Sequence, residues 1–334
     1  MFGTAIPYSS QSLNDQNTNT DVNDDFFKEL FEPPKFLIIH RIYQVFCFVI
    51  FGGPIKLLLS FIVFLIWMMA LKLLPMFERF FSPKSNFKKW SHQITKRIIR
   101  VFLLCLGIAQ IKINGRIDED ARFFISNHVS FIDYLIYSYA LPLTFLQYTK
   151  KVSSHIDQRD CQSLEFEQSM IGNLFDVYHL SLKKNKIAYQ LANFASDPSY
   201  FPLLIFPEVC PTNGEAVAGF SKEFFEIEDT QQFTDYFSQS PYFLYQPVSL
   251  QYKLYFTPPG FNCLYSGSVL GLMIEILSIP FLTCSLTFTK KPFNKIEKLT
   301  ASKFAERCQL KVANKLRTMA ISKNYQIKFE QKTH

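Results

Sequence analysis

"RFFISNHVSFIDYLIYSYAL", residues 122–141, sets a small polar island between two apolar runs. Its opening, "RFFISNH", is dominated by aromatic and β-branched residues and reads as a strand. From Ser130 onward, "SFIDYLIYSYAL" reads as a helix. A strand ending at Asn127 and a helix beginning near Ser130 require a turn, and that turn brings His128 and Asp133 within reach of each other. A carboxylate held against one imidazole nitrogen sets the tautomer and supports the charged ring, and the other nitrogen is left to act as a general base. This is the His and Asp half of a hydrolase triad with no enzyme nucleophile close by in the chain, so the hydroxyl to be activated is expected on the substrate. The same residues also make an ordinary helix start, with Ser130 or Asn127 as the cap and Asp133 in the first turn favouring the dipole. An isolated His and Asp at this spacing does not separate the two readings.

A second polar cluster follows in "LLIFPEVCPTNGEAVAGF", residues 203–220. An apolar strand runs into Phe206-Pro207-Glu208 and then a loop ending Thr212-Asn213-Gly214. Open α/β sheets place ligand groups at the carboxyl ends of their strands, which is where this Glu and these small polar residues fall. An ordinary β-turn at "PTNG" with a surface Glu is the plainer alternative.

Strand and helix patterns alternate around these two stretches. "RVFLLCLGIAQ", residues 100–110, predicts an amphipathic helix and "IKING", 111–115, a strand. "LTFLQYTK", 143–150, predicts a buried strand, and further strands are expected at 175–182, 201–206, 243–250 and 281–289. Helices are expected at 185–196 and 266–278. "TASKFAERCQLKVANKLRTMAI", 300–321, predicts an amphipathic helix capped by Thr300, with an apolar stripe of Phe304, Cys308, Val312 and Leu316. The alternation argues for an α/β sandwich over an all-helical bundle. No internal repeat, Gly-rich phosphate loop or dinucleotide-binding fingerprint is present.

Upstream, residues 42–75 are almost continuously apolar, and Ile55–Leu74 nearly supplies the roughly 20 residues that one membrane span needs. Gly52, Gly53 and Pro54 interrupt the run, which predicts either a hairpin dipping into one leaflet or a short helix followed by a span. Arg79, Lys84, Lys88, Lys89, Lys96, Arg97 and Arg100 follow, a cluster that belongs on the cytosolic or matrix side. The expected organisation is a polar acidic tail at 1–34, a membrane hairpin or single span with a basic amphipathic linker at 35–100, and an α/β domain at 101–334.

Composition agrees. The 334 residues include 37 Phe against 11 Gly, more large apolar surface than a soluble domain of this length needs. The net charge of +7 is concentrated at 79–100 and 290–332, which suits anionic lipid headgroups. No nucleic-acid-binding motif accompanies that charge, and nucleic acid is not expected as a partner. The seven cysteines, at 47, 105, 161, 210, 263, 284 and 308, form no CxxC pair and are expected as reduced, buried thiols, with no disulfide framework and no metal site.

"NHVSFID", residues 127–133, resembles the NHxSxxD block of the glycerolipid acyltransferase family, whose familiar members are 1-acylglycerol-3-phosphate acyltransferase-like. "FPEVCPTNG", 206–214, resembles the family's FPEG block in the form found in the lysophosphatidylcholine acyltransferase-type branch, and "YQPVSLQY", 245–252, looks like that branch's later strand. The resemblance implies an acyltransferase-type sandwich, a central mixed β-sheet flanked by helices and preceded by a membrane-embedded helical segment. It implies acyl transfer from acyl-CoA, as co-substrate, to a lysophospholipid or glycerol-phosphate-type acceptor. His128 would be the general base, oriented by Asp133. Asn127 and Ser130 would shape the turn, and Glu208, Thr212 and Asn213 would face the acceptor. Membrane phospholipids are the expected partners, at the endoplasmic reticulum or a lipid droplet, or alternatively the mitochondrial inner membrane. A serine hydrolase using Ser130 is disfavoured because no G-x-S-x-G elbow surrounds it.

The chain departs from the family's pattern on the acceptor side. Leu182 stands about where the family carries an Arg that contacts the acceptor's phosphate, and Lys183 or Lys184 beside it offers a point charge instead of a bidentate fork. Val209 occupies the Gly position of the second block, and Pro211 is unexpected there. These departures support a second expectation, a catalytically degenerate acyltransferase-like subunit with a structural or lipid-binding role in a membrane complex.

Overall fold

Two apolar helices open the described part of the chain. The computed structural model describes residues 38–78, 87–148, 175, 177–180, 191, 194, 200–208, 212, 214, 216–225, 244–255, 275–279, 281–294 and 300–320. The acidic tail at 1–34 and most of the expected helix at 185–196 lie outside them, and of the helix expected at 266–278 only 275–278 is described, as helix.

Helix α1 spans Ile38–Ile50 and α2 spans Gly53–Glu78. Gly52 between them has φ +70°, a left-handed conformation, and a Cβ on Gly53 would lie 2.3 Å from the Phe48 ring. The Gly-Gly-Pro break therefore forms where the sequence places it. At about 1.5 Å per residue α1 is roughly 20 Å long and α2 roughly 39 Å, against about 30 Å of bilayer hydrocarbon. Gly53–Leu74, with mean hydropathy 2.5, is the one helical stretch among the described residues long and apolar enough to cross a membrane. Its sides are bare: Ile55, Leu58, Phe61 and Met69 are each more than half exposed, while Trp67 is buried. Trp67 packs against Phe64, against Phe102 of the next helix and against Phe175, which ties α2 to the domain.

Helix α3, Phe87–Cys105, ends earlier than "RVFLLCLGIAQ" suggests. The Leu106 N–H still donates to the Phe102 carbonyl, but the Gly107 N–H turns to Leu104 O and Gly107 adopts φ +90°. This is a glycine helix stop, and the chain leaves it directly as strand β1, Ile108–Asn114. Leu106 and Ile108 satisfy a helical and a strand period equally, so the apolar pattern alone hides the boundary.

The remaining strands are β2 (Phe123–Ser126), β3 (Thr144–Tyr148), β4 (Val177–Leu180), β5 (Leu203–Ile205), β6 (Ala216–Val217), β7 (Leu244–Tyr255), β8 (Phe281–Phe288), β9 (Phe293–Asn294) and β10 (Met319–Ala320). They form an eight-stranded mixed sheet in the order β1-β8-β7-β2-β5-β3-β4, with β9 on β7, and β6 pairs with β10 in a small second sheet. Among the described strands only β7 with β8 and β7 with β9 run antiparallel; β2 lies parallel to both neighbours, β5 and β7. The chain is thus a mixed α/β fold, a central sheet with helices on its faces.

Alternation in the strands divides the core. Phe124, Phe145, Leu204, Val248 and Leu250 point to one face, where they meet α2, α3 and helix α4 (Ile132–Ala140). Phe123, Ile125, Leu146, Leu203, Ile205 and Tyr245 point to the other, against helix α5 (Ala301–Leu316). Each such side chain taken from water contributes roughly 1.5–3 kcal/mol. In α5 the Thr300 hydroxyl accepts the Lys303 N–H at 3.4 Å, and Phe304, Cys308, Val312 and Leu316 are buried. The helix ends at Leu316 and not within "RTMAI": Arg317 takes a left-handed φ of 58° and caps it, so Met319–Ala320 is released to pair with β6.

Candidate active site

The carboxyl ends of the adjacent parallel strands β2 and β5 carry the two polar clusters that the sequence singles out, and they converge on His128. At the end of β2, Asn127 takes over the work of the main chain. Its amide donates to the Leu250 carbonyl at 3.0 Å and its Oδ1 accepts the Leu250 N–H at 2.9 Å. The side chain thereby continues the ladder to β7 while the backbone turns away from the sheet.

Asp133 closes that turn. Its Oδ2 accepts the Val129 N–H at 2.7 Å and the Ser130 N–H at 3.1 Å, and lies 2.9 Å from Nδ1 of His128. Its other oxygen accepts the Tyr252 hydroxyl. The Ser130 hydroxyl accepts the Ile132 N–H at 3.1 Å, supplying the cap that Phe131, the residue at the helix start, has no side chain to give. The two readings of "NHVSFID" therefore meet in one turn: Ser130 caps α4, and the Asp133 carboxylate that fastens the Val129 and Ser130 N–H groups also holds the imidazole. With Nδ1–H donating to Asp133, the ring's lone pair resides on Nε2.

The ring face is also fixed. Phe206, at the end of β5, stacks on His128 with centroids 4.5 Å apart and 20° between planes, and Tyr134 meets it edge-on at 5.6 Å. The main chain of His128 is pinned as well: its N–H donates to Glu208 Oε2 at 2.8 Å, and its carbonyl accepts the Thr212 N–H at 2.9 Å.

Glu208 and Thr212 are turned inward. The second oxygen of Glu208 accepts the Ala218 N–H at 3.0 Å, so both carboxylate oxygens serve backbone groups. The Thr212 hydroxyl lies 3.4 Å from the His128 and Ala216 carbonyls and accepts the Gly214 N–H. These two residues act as fasteners between the strand ends, a role that the expectation of acceptor-facing groups did not include. Asn213, Lys183 and Lys184, like Leu182, Val209 and Pro211, lie outside the described residues.

Burial pushes the Glu208 carboxyl from 4.5 up to about 8, against the pull of the His128 N–H, the His128 charge and the Ala218 N–H. The folded chain therefore keeps a proton that the unfolded chain loses near 4.5. The stability associated with it is fully present below about pH 4.5 and is lost as the pH rises to about 8. Replacing Glu208 by Gln, which does not titrate, is expected to remove this dependence. The unfolding free energy by which wild type exceeds Glu208→Gln, read from urea titrations, should shrink between about pH 5 and pH 8, by on the order of a few kcal/mol. An advantage that stays constant over that range counts against the assignment.

Other nucleophile candidates near the dyad are occupied or unreactive. Burial, with the Asp133 charge adding to it, pushes the Cys284 thiol up to about 12, so it stays protonated near neutrality. The Ser126 hydroxyl is bonded to that of Tyr137. Among the described residues no three of His, Cys, Asp or Glu are grouped as metal ligands would be. None of Phe206, Tyr134 and Tyr252 was expected at the site from the sequence. Tyr252 stands two positions from Leu250 in an alternating strand and shares its face, but only the pairing of β7 with β2 brings that face to Asp133.

No family model matches the chain, and the search of curated proteins found no match. Among solved structures, the crystal structure of the 1-acyl-sn-glycerophosphate (LPA) acyltransferase PlsC from Thermotoga maritima is similar to it, with 11% identity, coverage of 78% of this chain and 96% of that chain, and a TM-score of 0.44.

Proposed function

We propose that this protein is a membrane-attached O-acyltransferase that moves an acyl chain from acyl-CoA to a hydroxyl of a lysophospholipid or glycerol-phosphate-type acceptor. The observation that carries the reading is the His128–Asp133 pair, 2.9 Å apart and held on a strand-to-helix turn at the carboxyl ends of β2 and β5. In this reaction the acceptor oxygen attacks the thioester carbonyl while Nε2 of His128 takes its proton. The carbon–oxygen bond forms, the carbon–sulfur bond breaks, and the proton passes to the leaving thiolate. Asp133 stabilises the imidazolium formed in between. The Ser130 hydroxyl caps α4 through the Ile132 N–H, and in this reading the oxygen activated is that of the substrate.

Helix α2 supports membrane attachment. A soluble core helix would be covered, whereas the apolar sides of Gly53–Leu74 lie bare and suit lipid. Such an attachment keeps the site beside lipid acceptors.

The test is transfer of label from radioactive acyl-CoA to a panel of lysophospholipids and glycerol 3-phosphate by the purified full chain in lipid nanodiscs. Labelled product with at least one acceptor, matched by release of coenzyme A thiol, is the expected result. Folded protein that yields no product with any acceptor overturns the reading and favours a lipid-binding subunit of a membrane complex.

A further inference from the structure

Asp133 is held from both sides. Three donors meet Oδ2, all from its own turn: the His128 ring and the Val129 and Ser130 N–H groups. Oδ1 instead receives the hydroxyl of Tyr252, which arrives from β7, more than a hundred residues away. That delivery is built into the sheet. Asn127 is bonded to Leu250 on the same strand, and one alternation further along β7 places Tyr252 level with the start of α4. Gln251 and Lys253, on the opposite face, are exposed, while Tyr252 is half-buried.

We propose that Tyr252 is a positioning residue of this site, which sets the charge and orientation of Asp133 and through it the basicity of His128. The proposal rests on the reading of His128 as the base. A phenol donating to a carboxylate draws charge from it, so the carboxylate supports an imidazolium less strongly than a bare one would. The imidazole thus stays neutral, and able to accept a proton, to lower pH than it otherwise would.

Other titratable groups face this pair from every side. Tyr137 comes from α4, Cys284 from β8 directly opposite Tyr252 in register, Glu208 from the end of β5, and Arg100 of α3 acts on Cys284. Burial first, and then the Asp133 charge, raises the Tyr252 hydroxyl well above its ordinary value, and burial does the same for Tyr137. Both remain donors wherever Asp133 is charged. Glu208 does titrate in the working range, so variants are compared with the wild type in a background where Glu208 is unchanged.

The experiment is the pH profile of kcat/KM for acyl transfer by the full chain in nanodiscs. For Tyr252→Phe the expected result is a kcat lower by about 10-fold, a KM within about twofold, and an acid limb moved to higher pH by about half a unit. Introducing 3-fluorotyrosine at position 252 keeps the shape and strengthens the donor, and should move the limb to lower pH. It also keeps the test open if Tyr252→Phe fails to fold. A limb unmoved in the variants that fold overturns the proposal whatever happens to kcat, because a merely structural role changes the amount of competent enzyme and not its pH dependence. His128→Ala separates the layers. If it is inactive while the limb stays put, only the role of Tyr252 fails; if it is as active as wild type, the reading of His128 fails as well.

Discussion

Replacing His128 by Ala is expected to lower the initial rate of acyl transfer by about 10³-fold, the typical worth of a positioned general base. The loss should be chemical and not structural. Without the imidazole, Oδ2 of Asp133 keeps the Val129 and Ser130 N–H groups and Oδ1 keeps Tyr252, so the buried carboxylate stays satisfied and the turn stays closed. What disappears is the ring stacked on Phe206, and the space it leaves costs about 1–3 kcal/mol. A variant that folds, with an unfolding midpoint modestly below wild type, and that transfers almost no label is the expected outcome. A folded variant within threefold of the wild-type rate would falsify the role of His128 as base.

Substitutions of Asp133 should separate charge from structure. Asp133→Asn is nearly isosteric. If its oxygen takes the place of Oδ2, the His128, Val129 and Ser130 donors keep an acceptor, and the Tyr252 hydroxyl can rotate to accept from the new amide. Stability then falls by only about 1 kcal/mol. The negative charge is gone, however, so the imidazolium formed during transfer loses its partner and the rate drops by about 10³ to 10⁴. Asp133→Ala removes the acceptor altogether. Buried donors left unmatched cost about 1–3 kcal/mol each, a large share of what keeps a domain folded. The expected pattern is a folded but inactive Asn variant beside an Ala variant that is both inactive and strongly destabilised, read by thermal unfolding and transfer rate on the same preparations. Equal stability of the two would show that Asp133 does not hold closed the turn that precedes α4.

Much of this was legible in the chain because the signals are local. "FFIS" is buried on both faces and therefore carries no polar alternation, and the break at "SNHVS" marks the strand-to-helix turn. Gly52-Gly53-Pro54 punctuates the apolar run at the point where α1 stops. Thr300 and the Phe304, Cys308, Val312, Leu316 stripe foretell both the start and the buried face of α5. Two boundaries were not legible. The apolar residues on either side of Gly107 fit a helix as well as a strand, and the choice depends on β1 pairing with β8, far along the chain. Likewise Met319–Ala320 continues the look of a helix, yet Arg317 caps the helix in a left-handed conformation and β6 takes up the two residues beyond it.

The site divides in the same way. Local order accounts for the residue types and for a turn that brings His128 and Asp133 within reach, while Leu250, Phe206, Glu208 and Thr212, from elsewhere in the chain, hold that turn and the ring in place. Which way the other polar residues face depends on long-range packing. Glu208 and Thr212 could as well have pointed at a ligand, yet the strand ends leave backbone N–H and carbonyl groups without ladder partners, and a buried polar group must find one. Tyr252 joins Asp133 only because β2 and β7 lie side by side, an adjacency that comes from how the sheet is threaded and that no window of sequence contains.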